Sequence, residues 1–113
     1  WGFETLKAEG NAILRYKQNL LDSLMSNSFR ANILGYNIPM VNAPFFQSEL
    51  ASEMCDGESF AAAYYFRGDS YRVSLRSTDD GEDVSKIASK FGGGGHRCAA
   101  AFSIGCIKEF LTE

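Results

Sequence analysis

The stretch richest in chemistry is Gly92-Gly93-Gly94-Gly95-His96, four consecutive glycines followed by the only histidine of the chain. Glycine loses the most backbone entropy on ordering, so a run of it suits a place where the backbone must enter φ > 0 or approach something closely. Bare successive N–H groups can form a concave nest for phosphate oxygens, and His96 at its lip could add a hydrogen bond or a partial charge. On that reading Gly94 and Gly95 are expected at φ > 0, and the run is too flexible to be helix or strand. A plain flexible turn accounts for it equally well. Two familiar phosphate loops do not fit. His96-Arg97-Cys98 stand where a Walker loop needs Lys then Ser/Thr, and Arg97 stands where a dinucleotide fingerprint begun at Gly92 needs glycine. Both of those loops also lead from a strand into a helix, whereas this run leaves a helix.

The second chemical feature is Arg76-Ser77. Tyr71, Val73 and Leu75 alternate with Arg72, Ser74 and Arg76, so the two arginines share one face of a strand. Such a pair is ordinarily a solvated surface, but Arg76-Ser77 falls at the strand's end, where side chains reach a cleft. Zinc through His96, Cys98 and Cys106 has the wrong spacing and lacks a fourth ligand. The three cysteines, Cys55, Cys98 and Cys106, contain no CxxC pair, which argues against a disulfide framework and for a reducing, cytoplasmic setting.

The elements that must position these residues are legible as periodicities. Residues 2–26 read as a long helix with Phe3, Leu6, Ile13, Tyr16, Leu20 and Leu24 largely on one stripe, which is expected as core or as packing against a missing neighbour, and the helix as an interdomain connector. Phe29, Ala31 and Ile33 alternate with Arg30, Asn32 and Leu34, and Gly35-Tyr36-Asn37 supplies a turn into Ile38–Val41, where Pro39 places the second strand at an edge or makes it short. Pro44 fits the first turn of a helix with Phe46, Leu50 and Met54 inward, capped near Asn42 or Ser48 and stopped by Gly57. Phe60–Phe66 is a continuous apolar run, expected as a central strand covered on both faces, and Arg67-Gly68-Asp69 turns it into the arginine strand. Asp83 caps a helix over about 84–91 whose Val84, Ile87, Ala88 and Phe91 follow the i, i+3, i+4, i+7 rule, and Gly92 ends it. Ala99-Ala100-Ala101-Phe102 through Ile104 returns as a turn plus strand, and 107–111 as a last helical turn. The expected fold is α/β: a mixed sheet of about five strands flanked by helices, preceded by the long N-terminal helix.

At 113 residues, 45% hydrophobic and 22% charged, the chain suits one domain with a modest core. No apolar run is long enough for a membrane span. A net charge of −3 excludes a broad electrostatic grip on long nucleic acid, so any nucleotide contact must be local. Starting at Trp1, the sequence reads as a piece of something longer. The first helix and the edge near Pro39 are the surfaces a homodimer would use.

The segment from Tyr71 to Ile104, with Val73-Ser74-Leu75-Arg76-Ser77, Asp83-Val84, Ile87-Ala88, Phe91, Gly92 to His96 and Ala99-Ala100-Ala101-Phe102, resembles the DHHA1 domain, the C-terminal part of DHH-family phosphoesterases. The Gly35-Tyr36-Asn37 hairpin and the apolar strand at 60–66 fit that domain more loosely, and Ala101 stands where many relatives carry glycine. The resemblance implies a division into an interdomain helix (1–26) and a substrate-binding domain (27–113). It further implies an N-terminal DHH domain in cis that holds manganese or magnesium and activates water, so that the full-length protein is a metal-dependent phosphodiesterase or phosphohydrolase and this stretch alone is inactive. By carry-over Arg76 and Ser77 contact substrate phosphate or base, Gly92, Gly93, Gly94 and Gly95 cradle phosphate, and His96 contacts the nucleotide. The implied substrates are short oligonucleotides, nucleoside bisphosphates or cyclic dinucleotides. The same domain type closes alanyl-tRNA synthetases, which makes a tRNA-binding module the second reading. An interaction domain that kept the fold and lost the ligand is the third.

Overall fold

A computed structural model describes residues 3–110, with side chains from residue 11 onward apart from 107 and 109. Helix α1 (Phe3–Met25) is followed by β1 (Phe29–Ile33), β2 (Tyr36–Asn42), α2 (Gln47–Met54), β3 (Ala61–Phe66), β4 (Tyr71–Arg76), α3 (Val84–Ser89), β5 (Gly94–His96), β6 (Ala99–Ile104) and a 3-10 turn (Ile107–Phe110). The six strands form one sheet in the order β1-β2-β3-β4-β6-β5. β2 and β3 run parallel, joined through α2, and all other neighbours are antiparallel. The mixed α/β sheet expected from sequence is therefore present, with β3 central and one strand more than anticipated.

That extra strand is β5. The glycine run was expected to be neither helix nor strand, yet Gly94–His96 pairs with Ala99–Ala101 of β6. β6 offers an otherwise open side to it, and the side-chain-free Gly95 allows the close approach: a Cβ there would lie 2.5 Å from the Ala100 Cα and the Ala99 carbonyl. β6 correspondingly begins at Ala99, with no turn taken from the alanine run.

The first hairpin also differs from expectation. Its turn is Leu34-Gly35, both at positive φ (54° and 91°), as a two-residue primed turn requires, while Tyr36 and Asn37 already belong to β2. Asn32 steadies the turn by accepting the Gly35 N–H at 2.9 Å. Pro39 does not mark an edge, because β2 lies between β1 and β3. The ladder alternation that starts from the Ile33–Tyr36 pair puts Pro39 at a non-hydrogen-bonded position opposite Arg30, and pairing with β3 begins only at Met40. A missing N–H at residue 39 thus costs the sheet no bond.

One face of the sheet carries the main core. Ala31, Ile33, Ile38, Met40, Ala62, Val73, Leu75, Ala100 and Phe102 pack with Phe60, with Val84, Ile87 and Ala88 of α3, and with Phe110. α3 starts on Asp83, which accepts the Ser85 N–H at 3.0 Å. The other face is covered by α2 and the C-terminal part of α1, through Leu21, Val41, Ala43, Leu50, Ala51 and Ala63. The three fully buried alanines 61–63 keep β3 thin enough for both layers to approach.

α2 begins at Gln47 on Phe46, a left-handed residue (φ 60°) that makes no side-chain cap, so neither Asn42 nor Ser48 fills that role. α1 secures this start: the Lys17 ammonium lies 5.1 Å from the Phe46 ring centroid and 3.9 Å from Glu49. Upstream the stripe is not packed, with Ile13 and Tyr16 about two-thirds exposed (68% and 67%). The Phe3 and Leu6 side chains, and residue 111 of the last turn, lie outside the described residues. No described helix is long and apolar enough to cross a membrane.

Arg30 ties the edge strand β1 to the turn after α2. Its guanidinium donates to both Glu58 carboxylate oxygens (2.7 and 3.1 Å) and to Asn37. That hydrogen bonding holds the Glu58 carboxyl below its ordinary pKa. A depressed carboxylate stabilises the fold fully above its unfolded pKa, and this contribution is lost as pH falls through the folded value. Glu58→Gln is therefore expected to lower stability by about 0.2–1 kcal/mol at neutral pH, the range of an exposed ion pair. In urea denaturation the difference from wild type should shrink progressively as pH falls below the ordinary carboxylate range. A difference undiminished at acid pH would show that the charge pair is not its source.

Candidate functional site

Among the described residues α2 packs mainly over β3 and β4, and the sheet beyond it is left open on that face. There the cross-strand registers stack side chains in rows. Arg76 of β4 is opposite Ala99 of β6, which is opposite His96 of β5; Ser74 is opposite Ala101, which is opposite Gly94. Tyr65 of β3 is opposite Arg72 in the next row. Directly opposed residues share a face, so a floor of Ser74, Ala99, Ala101 and Gly94 is flanked by two arginines. The result is a cavity of about 350 Å³ lined by Gln47 and Ser48 at the start of α2, by Tyr65, Arg72, Ser74 and Arg76, and by Gly94, Gly95 and Ala99 to Ala101.

The lining contains two cations and no carboxylate. Among the described residues neither Arg72 nor Arg76 is held in an ion pair; Glu49 and Glu53 lie farther along the Arg76 side, in an adjoining groove. α2 presents its first turn here without a side-chain cap, so unpaired N–H groups and the positive end of the helix dipole add to the field. Ladder alternation directs the Gly95 N–H and C=O away from β6 toward the open edge, because hydrogen-bonded pairs fall at His96–Ala99 and Gly94–Ala101. The arrangement is fitted to an anion that carries a flat body.

Of the residues singled out in the sequence, Arg76, Gly94 and Gly95 come together in this cavity. His96 is exposed and stands two strands from Arg76 on the same face, at the rim and outside the lining. Gly92 (φ 84°) ends α3, its N–H bonded to the Ser89 carbonyl at 3.1 Å. Gly93 lies against β6, where a Cβ would come within 2.2 Å of the Ala101 carbonyl oxygen. Gly94 is not at positive φ, contrary to expectation, and a Cβ there would meet nothing within 4 Å; Gly95 is, at 153°.

Ser77 is buried and turned away from the cavity. Its hydroxyl donates to the Glu82 carbonyl at 2.7 Å and its N–H to the Cys98 carbonyl at 3.1 Å. The Val84 N–H donates to the Arg97 carbonyl at 2.9 Å, and the Arg97 guanidinium donates to the carbonyls of Asp79 (2.9 Å) and Gly81 (3.2 Å). Together these bonds fasten the β5–β6 turn to the loop after β4.

Sequence reasoning passed over Tyr65, Gln47 and Ser48. Tyr65 stood inside a continuous apolar run read as buried on both faces, which left no polar alternation to mark it. Among the described residues no three of His, Cys, Asp and Glu converge to hold a metal ion, so this donor set does not fit the manganese or magnesium that the resemblance implies, and any such ion would need ligands from elsewhere.

A model of the DHHA1 domain matches residues 48–113, more than half of the chain. The chain is 40% identical over 75 residues to an uncharacterized protein of Acanthamoeba polyphaga mimivirus, a match that takes in 62% of this chain and 18% of that protein. Among solved structures it is similar to an uncharacterized protein from Helicobacter pylori, with TM-score 0.54 and 24% identity over 66% of this chain and 22% of that one. It is also similar to the pGpG-specific phosphodiesterase PggH from Vibrio cholerae, with TM-score 0.59 and 13% identity over 84% of this chain and 35% of that one. The chain thus spans well under half the length of each, and at these identities the solved structures show a shared fold.

The glycines divide into two groups that substitution should separate. Gly93→Ala and Gly95→Ala force a Cβ against β6 backbone and are expected to cost about 1–3 kcal/mol or more, as overpacking does. Gly94→Ala should leave the urea midpoint unchanged, because its Cβ meets open space. Equal destabilisation at all three positions would mean that β5 is held by something other than its approach to β6.

Proposed function

This chain belongs to the DHHA1 domain family, and from that premise we propose that the cavity beside α2 is the substrate-binding half of a phosphoesterase active site. It holds one phosphate of a short oligonucleotide, a nucleoside bisphosphate or a cyclic dinucleotide. The divalent metal, manganese or magnesium, would be held by a DHH domain in the same polypeptide and would supply activation of the attacking water. The observation that carries the reading is the convergence of Arg76, in no ion pair among the described residues, with the bare Gly94-Gly95 backbone and the start of α2, which has no side-chain cap, in a cavity whose described lining holds no carboxylate.

Each residue has a definable task. The Arg76 guanidinium offers a planar fork of donors that matches two phosphate oxygens at once. Gly94, with no side chain, lets the phosphate come down to the strand backbone, and Ala99 and Ala101 keep the floor low enough for a sugar or base to lie on the sheet. His96 at the rim offers an imidazole to the bound nucleotide from the far side of Ala99. Ser77 acts at one remove, by fixing the turn that presents the glycine strand. The fold shared with a pGpG-specific phosphodiesterase supports a phosphodiester among the substrates. A chain of net charge −3 with a local cationic cavity suits the end of a substrate and not the length of a long strand.

In the full-length protein Arg76→Ala is expected to weaken binding of a 5′-phosphorylated dinucleotide by about 1.5–3 kcal/mol, the range for a charge-assisted hydrogen bond. Arg76→Lys should also weaken it, since the charge is kept and the fork is lost. Isothermal titration with inactive, metal-free protein reads both. Affinity unchanged in Arg76→Ala would remove the phosphate from this cavity.

A further inference from the structure

The cavity has a second end that a single phosphate at Arg76 leaves idle. Tyr65 and Arg72 are direct cross-strand partners, both are partly exposed, and both line the cavity. They stand on the same face as Arg76 but four residues back along β4, about 13 Å at the rise of a strand. Their surroundings differ from those of the neighbouring tyrosines. Tyr64 and Tyr71, on the opposite face, are locked into aromatic pairs: Tyr64 meets Phe29 and Tyr71 edge-to-face, and Tyr71 meets Phe66 at a tilt. Among the described residues the Tyr65 ring joins no aromatic pair, and Arg72 joins no ion pair and lies over no ring.

An aromatic ring and a guanidinium side by side, neither engaged in an aromatic pair or an ion pair among the described residues, at the end of a floor made of Ser74 and Ala101, can meet a base and a phosphate. Stacking on an aromatic ring takes any base through its π-face, and a guanidinium takes phosphate oxygens through its fork. Resting on the phosphate reading of Arg76, we propose that Tyr65 and Arg72 form a second nucleotide subsite. Tyr65 stacks the base of the next nucleotide, and Arg72 receives the phosphodiester that joins it to the nucleotide anchored at Arg76. The cavity then selects dinucleotide units over mononucleotides, with Tyr65 and Arg72 setting that preference and Arg76 serving both classes.

The test compares 5′-phosphorylated diadenylate with AMP as titrants of the full-length, metal-free protein. Tyr65→Leu and Arg72→Ala are each expected to lower the diadenylate-to-AMP affinity ratio about ten-fold, the first through loss of one stacked base and the second through loss of a charge-assisted hydrogen bond to the phosphodiester. Tyr65→Phe should keep the ratio, because the ring is retained. Arg72→Ala should also make the logarithmic salt dependence of diadenylate binding shallower by about 0.7, the value of one single-strand phosphate. A ratio unchanged in Tyr65→Leu and Arg72→Ala, while Arg76→Ala still weakens both titrants, overturns the second subsite and leaves the phosphate reading standing. Loss of the ratio in Tyr65→Phe as well as Tyr65→Leu overturns stacking as its cause. Arg76→Ala without effect on either titrant overturns the phosphate reading itself.

Discussion

The geometry of the site depends on one set of hydrogen bonds, those that pin the β5–β6 turn to the loop after β4. The Ser77 and Val84 N–H groups take the carbonyls of Cys98 and Arg97, and the Arg97 guanidinium takes two carbonyls of the 79–81 stretch. A three-residue strand of two glycines and a histidine has almost no side-chain packing of its own, and ordering glycine is costly. It keeps its place because its turn is held from outside and because Gly93 docks against β6. Arg76, one residue before Ser77, is positioned by the same bonds. The cation and the bare backbone are thus set relative to each other by the fold and need no ligand to assemble them.

The unequal covering of the two sheet faces does the rest. The face bearing Val73, Leu75, Ala100 and Phe102 is filled by α3 and the 3-10 turn, while α2 on the other face stops over β4. Alternation along β4 then delivers Arg72, Ser74 and Arg76 to the part left open. In an acidic chain this gathers positive charge at one place, aided by the uncapped first turn of α2. Such local concentration favours a small anion over an extended polyanion.

Much of this was legible in the sequence, and the limits have physical reasons. The alternation at 71–76, the helical spacing from Val84 to Phe91 and the apolar run at 60–66 are local signals, and the elements formed where those signals lie. Pairing partners are not local. Nothing between Gly92 and His96 reveals that β6 has a side free to capture it, so a strand passed for a loop. Pro39 suggested an edge because its missing N–H is easy to see, whereas the register that makes it harmless depends on a turn at Leu34-Gly35 and on β3 starting its pairing at Met40. Tyr65 was hidden because three buried alanines precede it, and only the extent of α2 decides which part of that face stays open. Ser77 sat beside the right arginine, yet its hydroxyl serves the loop.

The open edge at β5 has a bearing on solubility. An unpaired strand edge is a template on which another chain can add a strand, the first step of sheet-to-sheet association. β5 exposes such an edge by design of its glycines, but it is three residues long and all three are exposed, with no apolar side chain to reward a docking strand. Shortness and bareness together make it a poor seed for aggregation. The same economy that leaves backbone amides open at this corner of the sheet keeps other copies of the protein from settling there.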